Sequence, residues 1–371
     1  MKRAIVSVIN DLVTDRRVDK TCNTLVDLSF DVLLIGRKLP DSLPLEPRRY
    51  HTHRMNLLFV KGPLFYAEYN IRLFFLLLGK KSSLLFSNDL DTLLPNYVVS
   101  LLKRVPLVYD SHEYFTETPE LVNRKLVQSF WKTIEKMIFP KLQDIITVND
   151  SIADLFRKKY NKEVRVVRNI PPAARISELK SRQELGLPGN RPVILLQGAG
   201  INIQRGAEEL VQAMQFLPEV LLLIIGGGDV IGQLKQMRTE LKLEDTIMIL
   251  PKMPFDQLFY YTASADLGLT LDKDTNINYR YSLPNKLFDY IHAGLPVLAS
   301  PLTEIKKIID TYQIGETIES HQPEQLAMKI TSMLSNKKML ETYHQNCLKA
   351  AKILSWENEK KVLTEILKKY V

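Results

Sequence analysis

The sequence predicts an α/β protein made of two successive domains, each wound around a parallel sheet. Short β-branched runs alternate with longer helix-like stretches along the 371 residues, which is the pattern of βαβ units. The alternation pauses at Asn169-Ile170-Pro171-Pro172 and resumes at Val193, and such proline punctuation reads as a linker. The length also favours two domains over one. The expected parts are a Rossmann-like domain over 1–168, a second over 169–354, and a terminal helix over 355–371.

In the first half, Ala4–Ile9 reads as a strand ended by Asn10-Asp11, and Asp31–Ile35 as the next, ended by Gly36. Ligands of parallel sheets gather at the carboxyl ends of strands. The loop holding Asp15, Arg16 and Arg17 is therefore placed either to bind an anionic acceptor or to form the polar first turn of a surface helix. It lacks the GxGxxG of dinucleotide enzymes. Residues 55–78 are rich in Leu, Phe and Tyr but are broken by Lys61, Glu68 and Arg72, which argues against a membrane span. Phe65, Tyr69, Leu73 and Leu76 recur at helical spacing, fitting a buried core helix or a helix lying in a membrane surface. Strands at Leu84–Phe86 and Leu107–Tyr109 end in polar residues, the second in Asp110-Ser111-His112-Glu113. His112 at a strand end suits contact with a sugar or a developing charge. Ile145–Val148 and Val164–Val167 complete the strands of this half.

The second half repeats the scheme. The strand Val193–Leu196 leads into Gln197-Gly198-Ala199-Gly200 and a polar loop with Arg205, whose guanidinium suits a phosphate. Val220–Ile225 precedes Gly226-Gly227-Gly228, read as a backbone that lets a ligand approach closely. Ile247–Leu250, Ala265–Thr270 and Val297–Ala299 are further strands, and Phe255–Ala263 fits a helix. Asp272-Lys273-Asp274 is read as loop solubility charge rather than a metal pair, and no metal is expected.

The most informative stretch is Tyr279–Ser300. Ser282 and Pro284 are expected to open a helix, Leu287, Phe288 and Ile291 to bury one face, and Gly294 and Pro296 to stop it. The helix N-terminus at Leu283, Pro284 and Asn285, with the bare N–H groups of its first turn, would form an anion site. Lys286 and Asp289 lie three apart on one face, so a diphosphate at the tip with ribose hydroxyls on Asp289 suits a nucleotide. The alternative is a capped amphipathic helix with a solvent ion pair.

Composition narrows the class. The only cysteines, Cys22 and Cys347, have neither CxxC nor zinc spacing, which suits a reducing cytosol. MKRAIVSVIN is too short an apolar run for a signal peptide, and no run of about eighteen apolar residues exists. Lys and Arg outnumber Asp and Glu 27 to 19 over 1–170 and equal them at 23 over 171–371, so the net charge of +8 sits in the first half. That asymmetry suggests an anionic partner there, whether nucleic acid, anionic lipid or a phosphorylated acceptor.

Taken together these motifs resemble the retaining glycosyltransferases of the large family-four group, which have the GT-B fold. In that family two Glu eight positions apart flank the turn, the second binding ribose. Asp289 falls on the second position and Tyr281 on the first, and the Ser282, Pro284, Lys286 pattern is similar to an S-x-P-x-K subgroup. The family's diphosphate-gripping Arg and Lys, five apart, fall on Gly200 and Arg205. Asp15-Arg16-Arg17-Val18 resembles the family's first loop, and Asp110-Ser111-His112-Glu113 its cleft element, where the His lies beside the donor sugar. The base would sit at Pro251–Pro254, and the last helix would cross back to the first domain.

The resemblance implies transfer of a sugar, with retention, from a UDP- or GDP-sugar to a hydroxyl acceptor across a central cleft. Arg205 and Lys286, helped by Gly198 and Gly226–Gly228, would steady the leaving diphosphate, with His112 orienting the sugar and Asp15, Arg16, Arg17, Asp110 and Glu113 on the acceptor side. No cofactor and no nucleic-acid partner are implied. A lipid-linked or saccharide acceptor in cell-envelope biosynthesis is expected, with the protein cytoplasmic and at the inner membrane face. The competing readings are a GT-B sugar-nucleotide epimerase and a non-catalytic nucleotide-sugar-binding scaffold.

Overall fold

A computed structural model describes residues 2–13, 15–40, 42–173 and 179–371. The chain divides into unit 1, Met1–Asn169 with Asn358–Val371, and unit 2, Ile170–Glu357.

Unit 1 holds the strands β1 (Arg3–Asp11), β2 (Asp31–Lys38), β3 (His51–Asn56), β4 (Leu84–Asn88), β5 (Leu107–Ser111), β6 (Asp144–Thr147) and β7 (Arg165–Val166). Its helices are α1 (Arg16–Asp27), α2 (Gly62–Gly79), α3 (Leu90–Lys103), α4 (Pro119–Val122), α5 (Lys125–Ile138) and α6 (Asp150–Tyr160). The strands form one sheet ordered β3-β2-β1-β4-β5-β6-β7, all neighbours parallel. The inner strands are apolar on both faces because helices cover both sides, and β4 and β5 are buried throughout. Right-handed crossovers put α1 on one face and α2, α3 and α5 together on the other. On that second face α2 packs on α3 and α3 on α5, and Tyr66 of α2 meets Trp131 of α5 edge-on at 5.3 Å.

One strand here is unmarked by any local signal and one expectation changes. The strand β3, His-Thr-His-Arg-Met-Asn, is an edge strand that is mostly half-buried; with one neighbour it needs no apolar signature. The buried row of α2 is Phe65, Tyr69, Leu73 and Leu77, a strict step of four, so Leu77 replaces Leu76 on the core face.

Unit 2 holds β8 (Val193–Gly198), β9 (Leu221–Gly226), β10 (Ile247–Leu250), β11 (Leu267–Thr270), β12 (Val297–Ala299) and β13 (Gly315–Thr317). The helices are α7 (Ala207–Ala213), α8 (Ile231–Glu240), α9 (Phe255–Ser264), α10 (Ile277–Arg280), α11 (Asn285–His292), α12 (Thr303–Tyr312), α13 (Pro323–Ser335) and α14 (Lys337–Ile353), and α15 (Trp356–Lys368) begins in this unit. The parallel sheet runs β10-β9-β8-β11-β12-β13. Side chains alternate across it: Ile194, Leu196, Leu222 and Ile224 enter one core, and Val193, Leu195, Leu221 and Leu223 the other. The second core receives α11 through Leu287, Phe288, Tyr290 and Ile291. A Cβ on Gly268 would come within 2.7 Å of the Tyr290 ring, so that glycine gives the ring its seat against the sheet.

From Asn358 onward α15 belongs to unit 1. Glu359, 5% exposed at its side chain, bonds Arg168 Nη2 at 2.6 Å and accepts the Arg168 backbone N–H at 2.7 Å. Lys360 pairs with Asp27 and Lys369 with Asp144.

Candidate nucleotide-binding and catalytic site

In unit 2 the strand order reverses between β8 and β11, the place where open parallel sheets hold ligands at their carboxyl ends. Asp272 stands two residues past β11 and is 1% exposed. Its Oδ1 lies 3.2 Å from Arg205 and its Oδ2 3.4 Å from Lys286 Nζ, while Thr270 Oγ1 donates to it at 3.2 Å. Burial alone would raise the Asp272 pKa, but the Lys286 and Arg205 charges outweigh it and hold the carboxyl below its usual range. Burial likewise lowers Lys286, partly countered by Asp272. The guanidinium of Arg205 also lies over the Tyr279 ring, 5.0 Å from its centre. Two cations thus share one carboxylate, and the cluster keeps a surplus positive charge. Asp272 is therefore not solubility charge as expected; it is the buried carboxylate that assembles the two cations.

Helix α11 starts at Asn285, with Pro284 at the cap position and no side chain capping it. Ser282 does not cap it as expected; its N–H closes the preceding turn on the Tyr279 carbonyl at 3.0 Å. The amides of the first turn are thus left without a side-chain cap, as an anion site requires. Asp289 is 4% exposed, so the alternative of a solvent ion pair with Lys286 does not hold. Instead, Gln197 Nε2 donates to Asp289 at 3.3 Å, and Gln197 Oε1 accepts from Thr262 Oγ1 at 2.7 Å. Gln197, at the end of β8, is a site residue that no local motif marked.

The glycines after β9 have a different use from the one expected. A Cβ on Gly226, whose φ is 145°, would overlap the Gly198 carbonyl, and one on Gly228, with φ 152°, the Ile201 carbonyl. The Gly227 N–H donates to Gly198 O at 3.2 Å, and the Ile201 N–H to Gly227 O at 2.8 Å. The close backbone approach is that of the 198–201 loop, and the Gly227 amide is committed to it rather than to a ligand.

In unit 1 the order reverses between β1 and β4, and polar strand ends meet there. His112 Nε2 lies 3.1 Å from Asn88 Oδ1 and 3.5 Å from Asp110 Oδ2; Nδ1 lies 3.3 Å from Asp89, which also accepts the His112 backbone N–H at 2.8 Å. Burial would lower the His112 pKa, but Asp89 and Asp110 raise it to about 9. Asp89 sits at φ 59°, ψ 168°, costly for a residue with a Cβ and held by its surroundings. Arg17 is buried, its fork bidentate on Asp110 at 2.9 and 2.6 Å and its third arm on Val167 O at 2.7 Å. With all three guanidinium nitrogens so engaged, Arg17 orders Asp110 rather than meeting an acceptor as expected. Asp15 caps α1 through the Val18 N–H at 3.1 Å, Arg16 is exposed, and Glu113 is half-buried. Among the described residues no group of three or more His, Cys, Asp or Glu is placed to hold a metal ion.

Residues 14–171 match the family model described as Glycosyltransferase Family 4, and residues 177–350 that described as Glycosyl transferases group 1. A D-inositol 3-phosphate glycosyltransferase of Xylanimonas cellulosilytica is 24% identical over 152 residues, 38% of this chain and 34% of that protein; the match thus spans about a third of the curated relative. Among solved structures, sucrose-phosphate synthase from Thermosynechococcus elongatus superposes with a TM-score of 0.77 at 16% identity, covering 100% of this chain and 99% of that one. Anabaena Alr3699/HepE in complex with UDP-glucose gives 0.73 at 14% identity, covering 100% of both. Both likenesses speak to the fold. With two parallel-sheet Rossmann-like domains the chain has the GT-B fold, and these two matches make its first half a Glycosyltransferase Family 4 domain and its second a Glycosyl transferases group 1 domain.

Proposed function

We propose that the protein transfers a sugar from a nucleoside diphosphate sugar to a hydroxyl acceptor, with retention at the anomeric carbon. The observation that carries this is the half-buried Arg205 and the buried Lys286 gathered on buried Asp272 beside the α11 N-terminus. A departing nucleoside diphosphate gathers negative charge as the glycosidic bond breaks, and preorganised cations in a dry site stabilise that charge. Asp289, oriented by Gln197, takes the ribose hydroxyls, and His112, kept cationic by its carboxylates, orients the sugar. The fold neighbour that carries UDP-glucose supports a UDP- or GDP-sugar as donor. Retention and the S-x-P-x-K subgroup rest on the resemblance at Ser282, Pro284 and Lys286. The acceptor is a lipid-linked or growing saccharide of the cell envelope, met at the inner face of a membrane, a reading supported by the basic first half.

The test is a thermal-shift panel with UDP, GDP, ADP, CMP and NAD, because a ligand of the native state alone raises stability. One nucleoside diphosphate should shift the melting temperature, and Asp289→Ala should abolish that shift. A shift with NAD alone, or an undiminished shift in the variant, rejects the assignment. Acceptor-dependent release of the nucleoside diphosphate then separates a transferase from an epimerase or a scaffold.

A further inference from the structure

Three helices on one face of the unit 1 sheet each turn an apolar stripe to solvent. On α2, Leu64, Ile71, Phe75 and Leu78 are 59, 58, 64 and 41% exposed, opposite the buried row that starts at Phe65. On α3 the stripe is Leu94 and Leu101, with Leu102 beside it, and on α5 it is Leu126, Phe130 and Met137. The loop before α2 adds Leu58, Phe59 and Val60, held alongside because the Glu68 carboxylate accepts the Leu58 and Phe59 N–H groups. Of the 24 large apolar side chains exposed among the described residues, 14 fall between Leu58 and Met137, so the exposure is concentrated on this layer. A soluble monomer rarely presents a contiguous apolar face of this extent.

The charges around it identify the occupant. Between residues 61 and 141 eight cations are exposed, namely Lys61, Arg72, Lys81, Arg104, Arg124, Lys125, Lys136 and Lys141, against one exposed carboxylate, Glu120. Four of the other carboxylates of this stretch, Asp89, Asp91, Asp110 and Glu135, turn inward, bonded at the candidate site or buried in unit 1. No described helix is long and apolar enough to cross a membrane. Aromatic and aliphatic side chains on a rigid face among exposed lysines and arginines match an anionic bilayer surface, where side chains enter the headgroup boundary and cations meet lipid phosphates.

We infer that the α2–α3–α5 face of unit 1 docks on an anionic lipid surface, inserting Phe59, Ile71, Phe75, Leu126 and Phe130 while Lys125 and Lys136 meet headgroups. This rests on the membrane-surface part of the proposed function and is independent of the sugar-transfer chemistry. It also assigns the helix at 62–79 both alternatives weighed for it: one row in the core and the opposite row in the interface.

The experiment is co-sedimentation of the full chain with vesicles of phosphatidylcholine alone or mixed with phosphatidylglycerol, at low and high salt. The chain should bind the mixed vesicles, more weakly at high salt. Binding should fall at least about tenfold both in Lys125→Glu/Lys136→Glu and in Ile71→Ser/Phe75→Ser/Leu126→Ser/Phe130→Ser. The nucleotide-induced thermal shift, read on the same preparations, should stay unchanged, which shows that the variants fold and keeps this test separate from that of the donor site. No binding to mixed vesicles at low salt, or equal binding by the variants, overturns the inference. A dimer in solution that the apolar variant dissociates, without vesicle binding, overturns it in favour of a second copy of the chain.

Discussion

At the scale of single residues, the candidate site is governed by which charges are forced to share a buried space. Asp272 stays ionised in spite of burial because two cations face it, and His112 stays protonated because two carboxylates do. The second case makes a pH prediction. The folded pKa of His112, about 9, lies above the ordinary 6.5, so its protonation stabilises the fold fully below pH 6.5, and that contribution is lost as pH rises through about 9. The difference amounts to on the order of 3 kcal/mol. Urea unfolding should therefore show wild type more stable than His112→Gln at about pH 6, with the gap closing by about pH 10. A gap that widens with pH would mean the imidazole is neutral in the fold. These pairings were only partly readable in advance. His112 and Lys286 stand in motifs, whereas Gln197 at the end of β8 and Asp272 in the loop after β11 acquire their roles from neighbours far along the chain.

At the scale of elements, the two glycine-bearing loops of unit 2 stand in van der Waals contact through their backbones. A graded response follows for substitutions to alanine. Gly226→Ala and Gly228→Ala place a methyl on a carbonyl oxygen at a backbone angle suited to glycine, and each should cost about 3 kcal/mol or more. Gly227→Ala meets only the flexible end of Lys252 and should be far milder. In Gly232→Ala, in helix α8 with nothing nearby, the loss of backbone freedom in the unfolded chain should stabilise by about 0.5–1 kcal/mol. Chemical denaturation of the four variants checks the order. Three glycines after an apolar strand announced a close approach, but not what approaches; that depends on the path of a loop about 25 residues earlier.

At the scale of the whole molecule, the last 14 residues, from Asn358 on, complete the first unit rather than the second. The Glu359 carboxylate is nearly buried and answers both the guanidinium and the backbone N–H of Arg168. Glu359→Ala should lower the stability of unit 1 by about 1.5–3 kcal/mol, the range for hydrogen bonds to a charged group. Hydrogen exchange should show the loss in β6, β7 and α1 while the amides of β8 and β9 keep their protection. Equal loosening of both sheets would show that α15 supports the two units alike.

By itself the sequence determined the fold class, the order of the inner strands along the chain and the neighbourhood of the site. Those features rest on local chemistry: apolar runs that must be covered on both faces, polar residues at strand ends, and a proline-opened, glycine-closed helix at 285–292. Tertiary structure alone decided the rest. The polar edge strand β3 is a strand because β2 offers it hydrogen bonds, not because of its side chains. Arg17 became a buried strut and Asp272 an organiser of cations because folding removes water from charges distant in sequence, and each must then find its partner in space.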